Sequence, residues 1–430
     1  MTFSRTASSG TAPARTASSG TASARSAVSR GGVLAAAVLT AAALTAVVFP
    51  AAEGIAKTPS PSHACVRSDP EADPRAREVL DIARRAQREL DLNAVLLRVS
   101  MDGREIVTGA LGESMTGVAA EPAMHFRAGS MAFPFFGIVL LQLAEEGRVG
   151  LDDPIARWLP EVPRADEITL RMLGDTTSGL ADYVTDQGFL DTLTAEPFRQ
   201  WTPEELVGIS ASHPFWYRPG TNWSYSHANF VLLGAALERI TGTRLDHLLE
   251  QRIFEPLGLR QTVNRFTPDL PDPVLHAFTA GRGLYEESSF WNPSWTTAPG
   301  AVLATDVCDF GRSIEAVGTG ALLSPESFRT QLNPGTVGLP GPADGCPEDV
   351  CLLQTEARHF GLGVIVSDGW ILSNPSFSGY AAIEAYQPDT RLTVAVSTTT
   401  GCDSPDGNTA QEVAARIVEL LAPDHPLNVF

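Results

Sequence analysis

Lysine is almost absent: Lys57 is the only one in 430 residues, so every other fixed cation is an arginine. A mechanism that needs a lysine side chain therefore starts without a candidate in the body of the chain. Cysteine is scarce too, with five at positions 65, 308, 346, 351 and 402. No C-x-x-C, H-x-H or H-E-x-x-H spacing occurs, so no metal and no cofactor is expected, and His247, His276 and His425 read as surface or satisfied core histidines. Positive charge is short overall, with a formal charge of −19. Residues 1–56 hold four Arg and one Glu, which leaves 31 − 4 = 27 basic and 50 − 1 = 49 acidic groups, or −22, on the remainder. Such a surface repels polyanions, and no nucleic-acid partner is expected. What is present, 43% apolar and 19% charged residues, is globular composition, and it excludes a collagen-like, coiled-coil or wholly disordered chain.

Residues 1–30 contain no acid and repeat themselves as RTASSGTAPA and RTASSGTASA. Residues 1–32 are expected to be a disordered basic leader, because Ser, Thr, Ala and Gly cannot bury a core. An Ala/Val/Leu run follows from Val33 to Phe49, with Gly54 and Ala56 placed as a −3 and −1 cleavage pair. Residues 33–56 thus read as an export signal or membrane anchor, and the run falls short of the ~20 residues that span a bilayer comfortably. The expected location is outside the cytoplasm, secreted or anchored to the outer face of the cytoplasmic membrane. Residues 57–73, opening on the Pro/Ser stretch Thr58–Pro61, read as a linker. Cys65, in the context Ser62-His63-Ala64-Cys65, is not a lipid-attachment site. In an oxidising compartment an even subset of cysteines pairs. Cys346 and Cys351 flank a short stretch of a Pro/Gly loop and are expected to bridge, and Cys308 with Cys402 is the second candidate pair.

Along residues 74–423, Pro74–Leu92 has helical periodicity, and Ala94–Ser100 with Glu105–Ala110 reads as a hairpin turned at Asp102-Gly103. Phe133–Leu143 is apolar nearly all round, which on a helix means complete burial, with Gly147 placed to stop it. Phe230–Gly242 reads as an amphipathic helix. Gly363–Ser367, Ala381–Tyr386 and Leu392–Ser397 are β-rich, and Thr409–Leu421 closes as a helix. Strands at both ends with helices between them predict one α+β domain, its sheet built from both termini, with an inserted, mostly helical lobe over about 130–300.

A series of short motifs then points to a family. Phe126-Arg127-Ala128-Gly129-Ser130 enters the buried helix; Leu170-Arg171-Met172-Leu173 runs into Thr177-Ser178-Gly179-Leu180; Pro219-Gly220 precedes Trp223-Ser224-Tyr225-Ser226. Pro256-Leu257-Gly258-Leu259, Phe360-Gly361-Leu362-Gly363 and Gly379-Tyr380 follow. In this order, over roughly residues 75–421, they resemble the penicillin-recognising serine hydrolases, the class C β-lactamase and D-alanyl-D-alanine carboxypeptidase group. The resemblance implies the serine β-lactamase/DD-peptidase fold, an antiparallel sheet with flanking helices.

It also implies three catalytic elements, and each is altered here. In S-x-x-K a serine attacks a carbonyl while a lysine one turn on helps remove its proton. Here Ser130 is followed at that spacing by Phe133, whose ring accepts no proton. Y-x-N reads as Tyr225-Ser226-His227, an amide replaced by an imidazole, a group that titrates near neutral pH. K-T-G or H-x-G reads as Ser373-Asn374-Pro375, where a hydroxyl replaces the cation and proline the glycine. Proline's ring there is expected to crowd the cleft and to remove one N–H. His359-Phe360-Gly361 is a decoy, since it overlaps the preceding strand's motif. The N–H groups of Ser130 and a residue near Ser376 would form the oxyanion hole.

The leading expectation is an exported homologue that has lost the standard machinery and acts by binding an envelope ligand such as a peptidoglycan-like peptide. The alternative is an active serine hydrolase, a carboxypeptidase or esterase, with Ser130 as nucleophile and Tyr225 or His227 as base. The residues name no third group to orient the imidazole.

Overall fold

A computed structural model of the chain describes residues 64–343, 345–346, 348 and 350–429. The leader and export segment expected over 1–56 lie outside the described residues, and among those described no helix is long and apolar enough to cross a membrane.

The first helix, α1 (Ala76–Glu89), buries Ala76, Val79, Ala83 and Ala86, one face at helical spacing. Strands β1 (Leu92–Met101) and β2 (Arg104–Met115) form the expected hairpin. Asp102 and Gly103 turn it with φ of 53° and 70°, a backbone whose twist matches that of the flanking strands. The short β3 (Val118–Ala119) pairs with β2. The helices α2 (Ala132–Glu145), α3 (His227–Thr241) and α4 (Val307–Thr319) follow. The chain then returns to strands β4 (Arg358–Phe360), β5 (Ile365–Ser367), β6 (Trp370–Ser373), β7 (Ser376–Phe377), β8 (Tyr380–Gln387) and β9 (Leu392–Thr400), and closes on α5 (Thr409–Leu421).

These strands make one nine-stranded sheet in the order β3-β2-β1-β9-β8-β6-β5-β4, with β7 also paired to β8. Every pairing is antiparallel. The N-terminal β1 and C-terminal β9 are neighbours, Leu97 opposite Val396 and Val99 opposite Val394, so the sheet is indeed built from both ends. Val95, Leu97 and Val99 face a core shared with α1 and with Val413, Ala414 and Ile417 of α5. Ala94 and Leu96 face a second core with Phe310 and Ile314 of α4, a helix the sequence pattern left unassigned. A one-residue slip would exchange the two sets, which pins the register.

α2 is buried at every position from Ala132 to Leu141 and again at Leu143, as its apolar composition requires. Each such Phe or Leu contributes ~1.5–3 kcal/mol by leaving water. Gly147, at φ 69°, follows its end. The Phe360–Gly363 turn lies directly on this helix: a Cβ on Gly137 would sit 2.3 Å from the Leu362 carbonyl oxygen, and one on Gly363 2.0 Å from that of Phe133. Only glycine permits those approaches, and they bring the β4–β5 edge against the start of α2.

Cys346 and Cys351 are bridged as expected. The second bridge differs: Cys308 pairs with Cys65, 243 residues away, and Cys402 is free and exposed. The cause lies in residues 64–73, expected as the end of a linker. There the Ser68 N–H donates to the Thr108 carbonyl at 2.9 Å, and the Arg67 guanidinium donates to the carbonyls of Ala110 and Ala120. This strap holds Cys65 buried at the first turn of α4.

Candidate active site

The strand Phe126–Arg127 and the tight turn Gly129–Met131 deliver Ser130, half-buried, to the start of α2. One turn further, Phe133 is 3% exposed and stacks face to face on Phe230 of α3, with ring centroids 3.7 Å apart and planes 4° apart. The position one turn beyond Ser130 is thus filled by an aromatic pair. Polar chemistry for Ser130 has to come from elsewhere.

It comes from α3. Ser226 precedes that helix without capping it through its side chain. The Asp182 carboxylate caps it from outside: Oδ1 accepts from the His227 backbone N–H at 3.2 Å, and Oδ2 lies 3.0 Å from His227 Nδ1. The Asp182 side chain is 7% exposed and that of His227 18%. With Nδ1 held by the carboxylate, Nε2 is the nitrogen left for the cleft. The Asn229 side chain ties the two segments together, accepting from Ser178 Oγ at 2.6 Å and donating to the Ser226 carbonyl at 3.2 Å. The ring of Tyr225 lies 5.0 Å from that of His227, edge on. Burial, and secondarily the Asp182 charge, hold the Tyr225 phenol well above its ordinary value, so it stays protonated. A phenol that keeps its proton is not the base that was one of the two expectations for this cleft.

On the strand side Ser373 is buried and in register with Glu384, and its hydroxyl donates to Glu384 Oε1 at 2.9 Å. Ser313 Oγ donates to the other carboxyl oxygen at 2.5 Å. Burial pushes Glu384 up to about 8, which keeps it neutral at pH 7. Asn374 turns its amide to Gln411 of α5 at 2.6 Å. Pro375 falls in the break between β6 and β7, where a missing N–H costs no ladder bond. Its ring packs beside Gly129, where an added Cβ would meet it at 3.3 Å. The expected crowding therefore falls on the turn below Ser130, and Pro375 is absent from the cleft's lining. His359 is buried on β4 between the carbonyls of Thr355 and Leu332, at 3.0 and 3.1 Å.

Ser130, Tyr225, His227, Ser373, Asn374 and Ser376 all line one cleft of about 420 Å³, with Phe133, Trp223, Trp295 and Phe360 among its aromatic walls. Ser130 and Ser376, the two residues expected to supply an oxyanion hole, both line this cleft. Asp182, Glu384 and Trp295 escaped the sequence reading. Asp182 precedes the short turn Tyr183–Thr185 as an N-cap type residue, but nothing in a spacing of 45 residues announces its pairing with His227. Among the described residues the one group of Cys, His or acidic side chains close enough to share an ion is Cys65, Asp306 and Cys308, and there the two sulfurs are joined.

The profile of the family described as Beta-lactamase matches residues 81–419. Penicillin-binding protein 4 of Amycolatopsis lactamdurans is 31% identical over 234 residues, covering 50% of this chain and 58% of that protein. Esterase EstB of Burkholderia gladioli is 35% identical over 149 residues, 31% of this chain and 37% of that one. The chain thus spans less than two thirds of the length of these curated relatives. Among solved structures, a D-stereospecific amidohydrolase from Streptomyces sp. superposes with a TM-score of 0.64 at 24% identity, covering 79% of this chain and 97% of that one. A D-amino acid amidase from Ochrobactrum anthropi SV3 gives 0.65 at 20% identity, covering 81% and 99%. At such identities the likeness shows the fold.

Proposed function

We propose that this chain, which belongs to the beta-lactamase family, is a serine acyl hydrolase in which His227, oriented by Asp182, serves Ser130 as base in place of the missing lysine. The observation that carries this reading is the Asp182 carboxylate on His227 Nδ1, the third group that a serine–histidine pair needs to fix its tautomer and stabilise the imidazolium. In the first half-reaction Nε2 takes the Ser130 proton as Oγ bonds to the acyl carbon. The tetrahedral oxyanion rests on the N–H groups of Ser130 and Ser376. Its collapse breaks the bond to an alcohol or amine, which leaves with the proton from His227. Water then attacks the acyl-serine and gives its proton to His227, and Ser130 recovers that proton as the carboxylic acid departs. Tyr225 contributes as a hydrogen-bond donor. The esterase among the relatives supports a hydrolytic reading. The two disulfides support a place outside the cytoplasm, where such bonds persist.

A second reading, a cleft that binds an envelope ligand without turnover, is favoured by the Phe133–Phe230 stack, which leaves nothing polar at the lysine position. A fluorophosphonate probe with mass mapping separates the two. Labelling of Ser130 is expected, abolished in Ser130→Ala and His227→Asn and kept within several-fold in Tyr225→Phe. An unlabelled Ser130 overturns the hydrolase and leaves the binding protein.

A further inference from the structure

We infer that this cleft takes an uncharged ligand, an ester or amide of an aromatic or branched acyl group, and rejects ligands bearing a carboxylate. The inference rests on the cleft just described being the working site, and not on turnover there.

Among the described residues no arginine or lysine lines the cleft. The family's cation position holds Ser373, whose hydroxyl is turned to Glu384. The one imidazole in the wall among the described residues is already partnered by Asp182. Behind the polar wall stand the Asp182 carboxylate and the neutral Glu384 carboxyl, neither of them a cation, so an anion entering would be desolvated without a counter-charge. Arg127, a buried cation, donates to the carbonyls of Pro268 and Ser289 and is not part of the lining. Apolar walls fill the rest: Trp223, Trp295, Phe360, Val184, Leu352 and Ile365. A cleft of about 420 Å³ so walled suits a phenylalanyl-sized group, stacked on rings that exclude water. A peptide ending in a free carboxylate does not fit this chemistry, whereas the same peptide as an amide or ester does.

The test is calorimetric titration of the protein with N-acetylphenylalanine amide and with N-acetylphenylalanine, each as both enantiomers. The amide is expected to bind at least tenfold more tightly than the acid. Ile365→Trp, which fills the cleft, and Trp295→Ala, which removes a wall, should each weaken it severalfold. Ser373→Arg, which supplies the missing cation, should narrow the gap by raising acid binding. Acid binding equal to or tighter than amide binding overturns the inference, as does binding of neither. Amide preference with an unlabelled Ser130 retires the hydrolase alone, and labelling without amide preference retires this inference alone.

Discussion

The starts of α2 and α3 meet at one cleft and are built from opposite materials. At α2 the residue one turn beyond Ser130 is an aromatic ring stacked on another, with no polar atom to offer. At α3 the first residue is an imidazole gripped at ring and backbone by a nearly buried carboxylate, and Asn229 braces the same turn. The lesson is that apolar replacement at one helix start need not empty a cleft of acid–base groups when the neighbouring start carries them. The first corner offers packed rings and the second a titratable pair.

The comparison breaks first under Phe133→Ala, which deletes a fully packed ring. A loss of ~3–5 kcal/mol of stability is expected in urea unfolding, with Ser130 labelling per folded molecule little changed. A loss below ~1 kcal/mol would show that the stack is not structural. Asp182→Asn should do the reverse. The amide still accepts from the His227 N–H but cannot stabilise an imidazolium, so probe labelling should fall on the order of 10⁴-fold while stability changes by ~1 kcal/mol or less. Equal damage to both would make Asp182 a cap and nothing more. The smallest effect concerns the third wall. Glu384 is held at about 8 in the folded protein by burial, against ~4.3 for a free glutamic acid. Between those values the native state keeps a proton that the unfolded chain releases, so its contribution to stability declines as pH rises through that window. Asp175 and Asp306, raised to about 7 and about 6, slope the same way. Glu384→Gln should therefore flatten, without abolishing, the fall in unfolding midpoint between pH 5 and 8.

Periodicity made α1, α2, α5 and the first hairpin legible, because their apolar spacing is set within a few residues of sequence. Ser130, Tyr225 and His227, singled out by motif order, line one cleft, since each sits at the head of a helix or on the segment just before one. Contacts that depend on closure over long stretches were not legible. Asp182 reaches His227 across a folded loop, and Glu384 meets Ser373 only through the β6–β8 register. Cys65 finds Cys308 because the strap lies along β2, a docking that its Pro/Ser approach did not suggest.

That last bond divides the chain as a machine under load would. Tension applied before Cys65 crosses the sulfurs to Cys308 and bypasses the residues between them, 243 positions apart. At ~3.3–3.6 Å per extended residue, roughly 800 Å of polypeptide is shielded from stretching. Ser130, Asp182, Tyr225 and His227 all lie inside the shielded loop, whereas Ser373, Ser376 and Glu384 lie on the loaded side. A pull on the chain would thus spare the connectivity of the nucleophile and its base and strip away the strand wall opposite them.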